Sequence, residues 1–478
     1  MNVQAVKQWM ITLLIVVWGG PSFVFGGTIA SRLHELLSAS GASSRHNVVI
    51  KPKGHASLAV LANLLRNRGG RRLRTLRCAN LVAAELSKSQ INVLATNESI
   101  GSIRQDITIF APERTAGSKS APSSSNWANV MSGVLELQNE GIDGTGVVVA
   151  ALDTGVDLNH PALITRFRGQ ATDWFDPHLS TAEPYDPHGH GTQTTGLAVA
   201  AQVGAAPGAK WIAGKIFADD GTALASSIHQ CFDWVIDPDG NPATDDAPHV
   251  VICAWGTPNY HSPLDEEFEP DLAALRAANI VVILAAGNDG PHPNTSVSPA
   301  NNPSGFAVGA ADDSGNVVDF SSRGPIPDTL RLYPDVVAPG KDLTTTDATF
   351  GGPASYVEVS GTSFAAGLTG GIAALLRQAV PSASVTDILQ ALRLSCQDVG
   401  QFGADYAAGQ GLIHAAIARD ILTGIPAPGD LNGDNKIDWD DFFLMSNHWG
   451  EKTNTGDANG DGEITWYDHQ LIEGHRLP

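Results

Sequence analysis

Short apolar runs punctuate the middle of the chain, and stretches with helical spacing separate them. Val147–Leu152, Trp211–Ile216, Val250–Cys253 and Ile280–Ala285 lack the in–out alternation of a half-exposed strand. Strands that read apolar on both faces are covered on both sides, as in a parallel sheet between helices. Gly191 onward and Phe364–Leu376 carry helical patterns, the second rich in small residues. The pattern predicts an α/β fold built on a doubly wound parallel sheet. Reactive groups in such folds gather at the carboxyl ends of the strands.

The earlier part of the chain has a different rhythm. Asn47–Lys51 reads as strand, Leu58–Leu65 as helix, Leu73–Cys78 and Leu81–Leu86 as strands, Gln90–Ala95 as helix and Ile100–Ile109 as strand. The order is β-α-β-β-α-β. Ala111–Ser125 is Pro-, Ser- and Gly-rich and predicts an exposed linker; Leu422–Gly429 predicts a second.

Candidate chemistry sits at the ends of the apolar runs. Asp153 follows the first run, in Asp153-Thr154-Gly155. His188-Gly189-His190-Gly191-Thr192 opens a helix, Asn288 ends Ala285-Ala286-Gly287-Asn288, and Ser363 ends Gly361-Thr362-Ser363 before the small-residue helix. Taken singly, each is a turn or cap residue. A serine hydroxyl needs a neighbouring base to become a nucleophile, an imidazole can be that base, and a carboxylate can hold the imidazole. Either His188 or His190 could serve. In this order the four motifs resemble the subtilisin-like serine proteases (subtilases), over about Asn126 to Asp420. The resemblance implies Ser363 as nucleophile, His190 as base, Asp153 as its orienting carboxylate and Asn288 as oxyanion donor. It also implies that the backbone of Ala254-Trp255-Gly256 binds substrate. Four positions depart from the family's pattern: Ala254 stands where relatives usually have serine, Gln193 and Leu368 replace histidines and Gly367 replaces a proline.

The same resemblance gives meaning to the first part. Its β-α-β-β-α-β order is similar to the ferredoxin-like α+β propeptides of subtilases, which chaperone and inhibit the enzyme. The chain carries −21 overall, but Gly27–Ser118 holds 13 basic and 5 acidic residues while Lys119 onward holds 15 and 45. The basic run Arg66–Arg77 alone would suit nucleic acid. A basic segment meeting its own acidic partner explains the split better, and no nucleic-acid role is expected. Residues 1–26, with Lys7 before the apolar Trp9–Trp18, read as a secretory signal; the alternative is an uncleaved anchor. The expected division is signal 1–26, propeptide 27–118, peptidase 126–421 and tail 429–478. Of four cysteines, Cys78 falls in the propeptide, so the rest allow at most one disulfide.

The tail repeats itself at 27-residue spacing. Asp430, Asn432, Asp434, Lys436, Asp438 and Asp441 match Asp457, Asn459, Asp461, Glu463, Thr465 and Asp468. They occupy loop positions 1, 3, 5, 7, 9 and 12 of a calcium loop, position 7 acting through its carbonyl. The paired loops resemble dockerin repeats, which bind calcium and attach enzymes to cohesin modules. A calcium-stabilised terminal module without such a partner is the alternative. The acidic loop Asp237–Asp246 reads as a calcium loop or a solvated turn. The expectation is a secreted, periplasmic or cell-surface serine endopeptidase, made as a zymogen, cutting protein or peptide substrates, with calcium structural in the tail. Its partners would be its own propeptide and a cohesin-like or cell-surface partner. The competing expectation is a catalytically degenerate protease fold acting as a scaffold.

Overall fold

The computed structural model describes residues 28–54, 56–114, 119–120, 127–179, 181–258, 265–327, 329, 331–424, 431, 439–449 and 464. The expected signal lies outside them. The chain divides into two compact units, residues 1–73 with 84–105, and residues 74–83 with 106–478.

The first unit holds most of a five-stranded sheet. Its spatial order is Thr28–Ile29, Ile100–Gln105, Arg45–Pro52, Leu81–Ser87, Arg71–Leu76. The helices Leu58–Asn67 and Lys88–Leu94 bury Leu61 and Leu65, and Ile91 and Leu94. The β-α-β-β-α-β order is therefore present with the ferredoxin-like strand arrangement. A reciprocal cap starts the second helix: Gln90 N donates to Ser87 Oγ at 3.2 Å, and Ser87 N to Gln90 Oε1 at 2.7 Å.

The expected strand Ile100–Ile109 is two strands. The first ends at Gln105, because the Asp106 carboxylate turns away to accept Ser226 N at 3.0 Å and Ser226 Oγ at 2.6 Å. The second, Thr108–Phe110, pairs antiparallel with Thr222–Leu224 in the second unit. Thr28–Ile29 and the helix Ser31–Ala39 had no sequence signal. That strand is two residues long, and its helix has no side-chain cap.

The second unit is built on a seven-stranded sheet. Its order is Val336–Pro339, Ala307–Ala311, Val281–Ala285, Val250–Cys253, Val148–Asp153, Lys210–Lys215, Trp174–Phe175, with every neighbour parallel. Asp153 is the last residue of its strand rather than the first after it, and Asn288 lies three residues beyond its own. The apolar strands are buried on both faces, as their composition requires.

Two helices carry the candidate groups, His190–Val199 and Thr362–Ala379. At two glycines of the second helix the backbones approach closely. A Cβ at Gly367 would lie 2.7 Å from Thr194 O, and one at Gly371 2.7 Å from Ala198 O. This close approach explains glycine where a proline was expected at 367. Leu368 is fully buried in the core, and the Gln193 amide donates to Asp347 Oδ1 at 3.3 Å.

All four cysteines are free thiols, and Cys253 is fully buried as expected. The loop Asp237–Asp246 is an internally bonded turn. Asp239 accepts from Asn241 N and Thr244 Oγ1, and Asp246 Oδ2 accepts from Asp239 N. No helix among the described residues is long and apolar enough to cross a membrane.

The helices Ala225–Ile236 and Glu269–Ala277 are joined by a buried ionic cluster. His229 Nδ1 meets Asp271 Oδ2 at 2.7 Å and Nε2 meets Glu267 Oε1 at 2.9 Å. Burial opposes the imidazolium, but the two carboxylates win and push His229 up to about 10. Its contribution to stability is therefore full below the unfolded value near 6.5 and is lost as pH rises through about 10. His229→Leu should destabilise by roughly 3–5 kcal/mol, because two buried carboxylates lose their cation. Urea unfolding at pH 7 measures this, and the parent chain should lose stability between pH 7 and 10.

Candidate active site

The site begins with a buried carboxylate. Asp153 ends the central Val148–Asp153 strand at 1 % exposure. Its Oδ1 accepts Thr154 N at 2.7 Å. His190 Nδ1 lies 2.8 Å from Oδ1 and 3.1 Å from Oδ2. Beside a carboxylate, Nδ1 carries the proton, so Nε2 is the free, basic nitrogen. Burial disfavours the His190 imidazolium, and Asp153 more than compensates, so the imidazole lies above its ordinary 6.5.

Asp186 shapes the loop that delivers His190, and no sequence argument had identified it. Its Oδ1 accepts Thr154 Oγ1, His188 N and Gly189 N at 2.8–3.0 Å, and its Oδ2 accepts Thr192 N and Thr192 Oγ1 at 2.9 and 2.7 Å. One carboxylate thus organises the loop around the imidazole. Its signal was present as an acid two residues before His188, which fits an Asx turn. His188 lies 6.3 Å from the His190 ring, centre to centre, and its Nδ1 is buried without a partner. It makes no contact with Asp153 comparable to that of His190.

Ser363 is the second residue of the Thr362–Ala379 helix and is 4 % exposed. Its N–H belongs to the first turn, where no carbonyl four residues back is available. The helix start also carries partial positive charge. Asn288 is fixed by its oxygen: Oδ1 accepts Thr362 N at 2.9 Å and Thr362 Oγ1 at 3.0 Å. Because a backbone N–H can only donate, the amide oxygen is assigned there, and the NH2 group is left for the cleft.

These groups meet in one cleft of about 520 Å³, lined by His190, Ser363, Asn288, Ala254, Trp255 and Gly256 among others. Asp153 stands behind His190. Gly256 forms a close wall, since a Cβ there would lie 2.8 Å from Val297 Cγ2. The indole of Trp255 is turned into the core. Its Nε1 donates to Leu152 O at 2.9 Å, and its ring packs on Phe268 at 5.4 Å between centroids. What Trp255 offers the cleft is therefore backbone. The Ser363 hydroxyl donates to Ala254 O at 2.9 Å.

In the tail, the helix Trp439–Asn447 is described. Asp441 is fully buried and its Oδ1 accepts Leu431 N at 2.8 Å. Met445 and Ile464 form a small core with Ile421, Leu431 and Phe442 against it. The other calcium-ligand candidates, Asp430, Asn432, Asp434, Lys436, Asp438, Asp457, Asn459, Asp461, Glu463, Thr465 and Asp468, lie outside the described residues.

Comparison with known proteins fits this geometry. The Subtilase family profile matches residues 144–411, and the Dockerin type I domain profile matches residues 428–475. Bacillopeptidase F of Bacillus subtilis is 36 % identical over 330 residues, 63 % of this chain and 22 % of that protein. Subtilisin-like protease PopC of Myxococcus xanthus is 31 % identical over 272 residues, 54 % of this chain and 56 % of that protein. Subtilisin BL of Lederbergia lenta is 32 % identical over 286 residues, 59 % of this chain and 93 % of that protein. The chain thus spans less than two thirds of the length of the first two relatives.

The Asp153–His190 pair makes a direct prediction. The His190 imidazole, followed by NMR in a Ser363→Ala chain, should titrate above 6.5. In Asp153→Asn the burial remains and the carboxylate is gone, so the titration should fall below 6.5.

Proposed function

The chain belongs to the Subtilase family, and we propose that it is a serine endopeptidase made as a zymogen. The observation that carries the proposal is the convergence of the Asp153–His190 pair, Ser363 and Asn288 on one cleft. In this reading Ser363 Oγ attacks the substrate carbonyl while His190 Nε2 takes its proton. Asp153 holds the Nδ1–H tautomer and stabilises the imidazolium. The oxyanion is met by the Asn288 NH2 and the Ser363 N–H, both preorganised before substrate arrives. His190 returns its proton to the leaving amine, and water hydrolyses the ester. The backbone of Ala254–Gly256 lines the track along which an extended substrate lies.

The propeptide lies within residues 27–118 and is removed by the same nucleophile, and residues 1–26 direct secretion. The chain carries a dockerin type I domain over 428–475. We assign its calcium to the two loops 430–441 and 457–468, whose clustered carboxylates suit a hard cation, and its partner to a cohesin-type module outside the cell. The buried Asp441 carboxylate holds Leu431 N, and Leu431 packs against the tail's small core.

Three outcomes follow. Ser363→Ala should stay full-length when purified and hydrolyse no peptide; maturation of the pure variant would exclude self-processing. Asn288→Ala should lower kcat by about 100-fold or more, in line with loss of one oxyanion donor in this family, and leave KM nearly unchanged. Ending the chain at Gly424 should keep peptidase activity while abolishing the binding of two calcium ions, read by calorimetry against the full chain.

A further inference from the structure

The cleft already holds a piece of its own chain. Thr108–Phe110 lies antiparallel to Thr222–Leu224, with Phe110 opposite Thr222 and Ile109 opposite Ala223. Ala111 N extends this ladder to Gly221 O at 2.8 Å, and Ala225 N closes its other end on Ile107 O at 2.9 Å. Ile109 is sunk into the core at 1 % exposure, whereas the next residue, Phe110, is exposed. Further along the chain the Arg114 guanidinium sits over the Phe350 ring, 4.3 Å from its centroid. Between these two anchors, Pro112 and Glu113 both line the cleft with His190, Ser363 and Asn288. The bond from Pro112 to Glu113 therefore runs along the cleft that Ser363 also lines.

The residue on the acyl side of that bond is a proline, and that changes the hydrogen bonding around it. In an extended strand successive residues turn their N–H and C=O to opposite sides. Ala111 N is turned to Gly221 O, so continued extension would turn position 112 toward the other wall, whose lining includes Ala254. An ordinary residue would offer an N–H there; proline has none. The Ala254 carbonyl holds the Ser363 hydroxyl instead, at 2.9 Å. Among the described residues, the hydrogen bonds of the His190 ring go to Asp153 alone. The nucleophile is parked on a backbone carbonyl rather than on its base.

We infer that Pro112–Glu113 is the bond this chain cuts in itself, and that Pro112 slows the cut by leaving Ala254 O free to hold the Ser363 hydroxyl. The inference rests on Ser363 being the nucleophile. In the step, the hydroxyl leaves Ala254 O and gives its proton to His190 Nε2 as Oγ bonds to the Pro112 carbonyl carbon. The bond to Glu113 N breaks as the imidazolium returns the proton to that nitrogen. Water then splits the ester, leaving a carboxylate on Pro112 and the hydroxyl on Ser363. A substrate with an N–H at the corresponding position donates to Ala254 O and frees the serine hydroxyl for His190. The brake is thus confined to the tethered segment and departs with it.

The test is a time course of the purified full-length chain, with intact masses of both fragments. The first pair should end at Pro112 and begin at Glu113, at a rate independent of protein concentration. Pro112→Ala and Pro112→Gly restore the N–H and should each cut the same bond about tenfold faster, the effect of one regained hydrogen bond. All three matured chains then have the same sequence and should hydrolyse an external peptide with one kcat/KM. Melting of each variant in a Ser363→Ala background checks that the fold is unchanged. A first cut at another bond overturns the assignment, and variants that cut no faster overturn the brake. Failure of a fluorophosphonate to label Ser363 in the matured chain would reject the nucleophile and this inference with it. Labelling together with a different first cut would reject the inference alone.

Discussion

Everything at the site depends on one hydrogen bond between two buried groups, Asp153 and His190. A carboxylate at 1 % exposure is costly unless its lone pairs are satisfied. Here the Thr154 N–H and the His190 Nδ1–H satisfy them. The strand that ends at Asp153 is flanked in register by Lys210–Lys215 and Val250–Cys253, so the carboxylate cannot shift without breaking the sheet. The imidazole is held just as firmly, because Asp186 ties the loop before it and Thr192 within its helix. The pair fixes both the tautomer and the direction of Nε2.

The second constraint is distance between two helices. The His190–Val199 helix and the Thr362–Ala379 helix must lie close for His190 and Ser363 to face one cleft. Gly367 and Gly371 make this possible, since a methyl at either would fall within 2.7 Å of a backbone carbonyl. A glycine inside a helix costs on the order of 1 kcal/mol relative to alanine. That cost is offset by packing of a helix buried over nearly its whole length. Propensity alone would have chosen alanine; the close approach of the two helix backbones in this chain selects glycine.

Much of this was legible because it is local. Uninterrupted apolar runs gave the central strands to within a residue, and the motifs around Asp153, His190, Asn288 and Ser363 sit at ends of those elements. Asp186 was missed because its role lies in five simultaneous hydrogen bonds, of which the sequence displays only the turn. Ile100–Ile109 read as one strand because the apolar pattern runs on; the break comes from Asp106 reaching Ser226, 120 residues away. Trp255 was legible as a cleft residue, but the direction of its indole is decided by the aromatic core beneath. The resting of the Ser363 hydroxyl on Ala254 O joins residues 109 apart, a contact that no periodicity encodes.

The central claim is that Ser363 is a nucleophile made reactive by the Asp153–His190 pair. Labelling of the matured protein with a fluorophosphonate, followed by peptide mapping, tests it most directly. The account predicts one adduct per chain, on Ser363, formed faster as pH rises through the raised His190 value and lost in His190→Ala. An unlabelled Ser363 in folded protein, or labelling unaffected by His190→Ala, would contradict it.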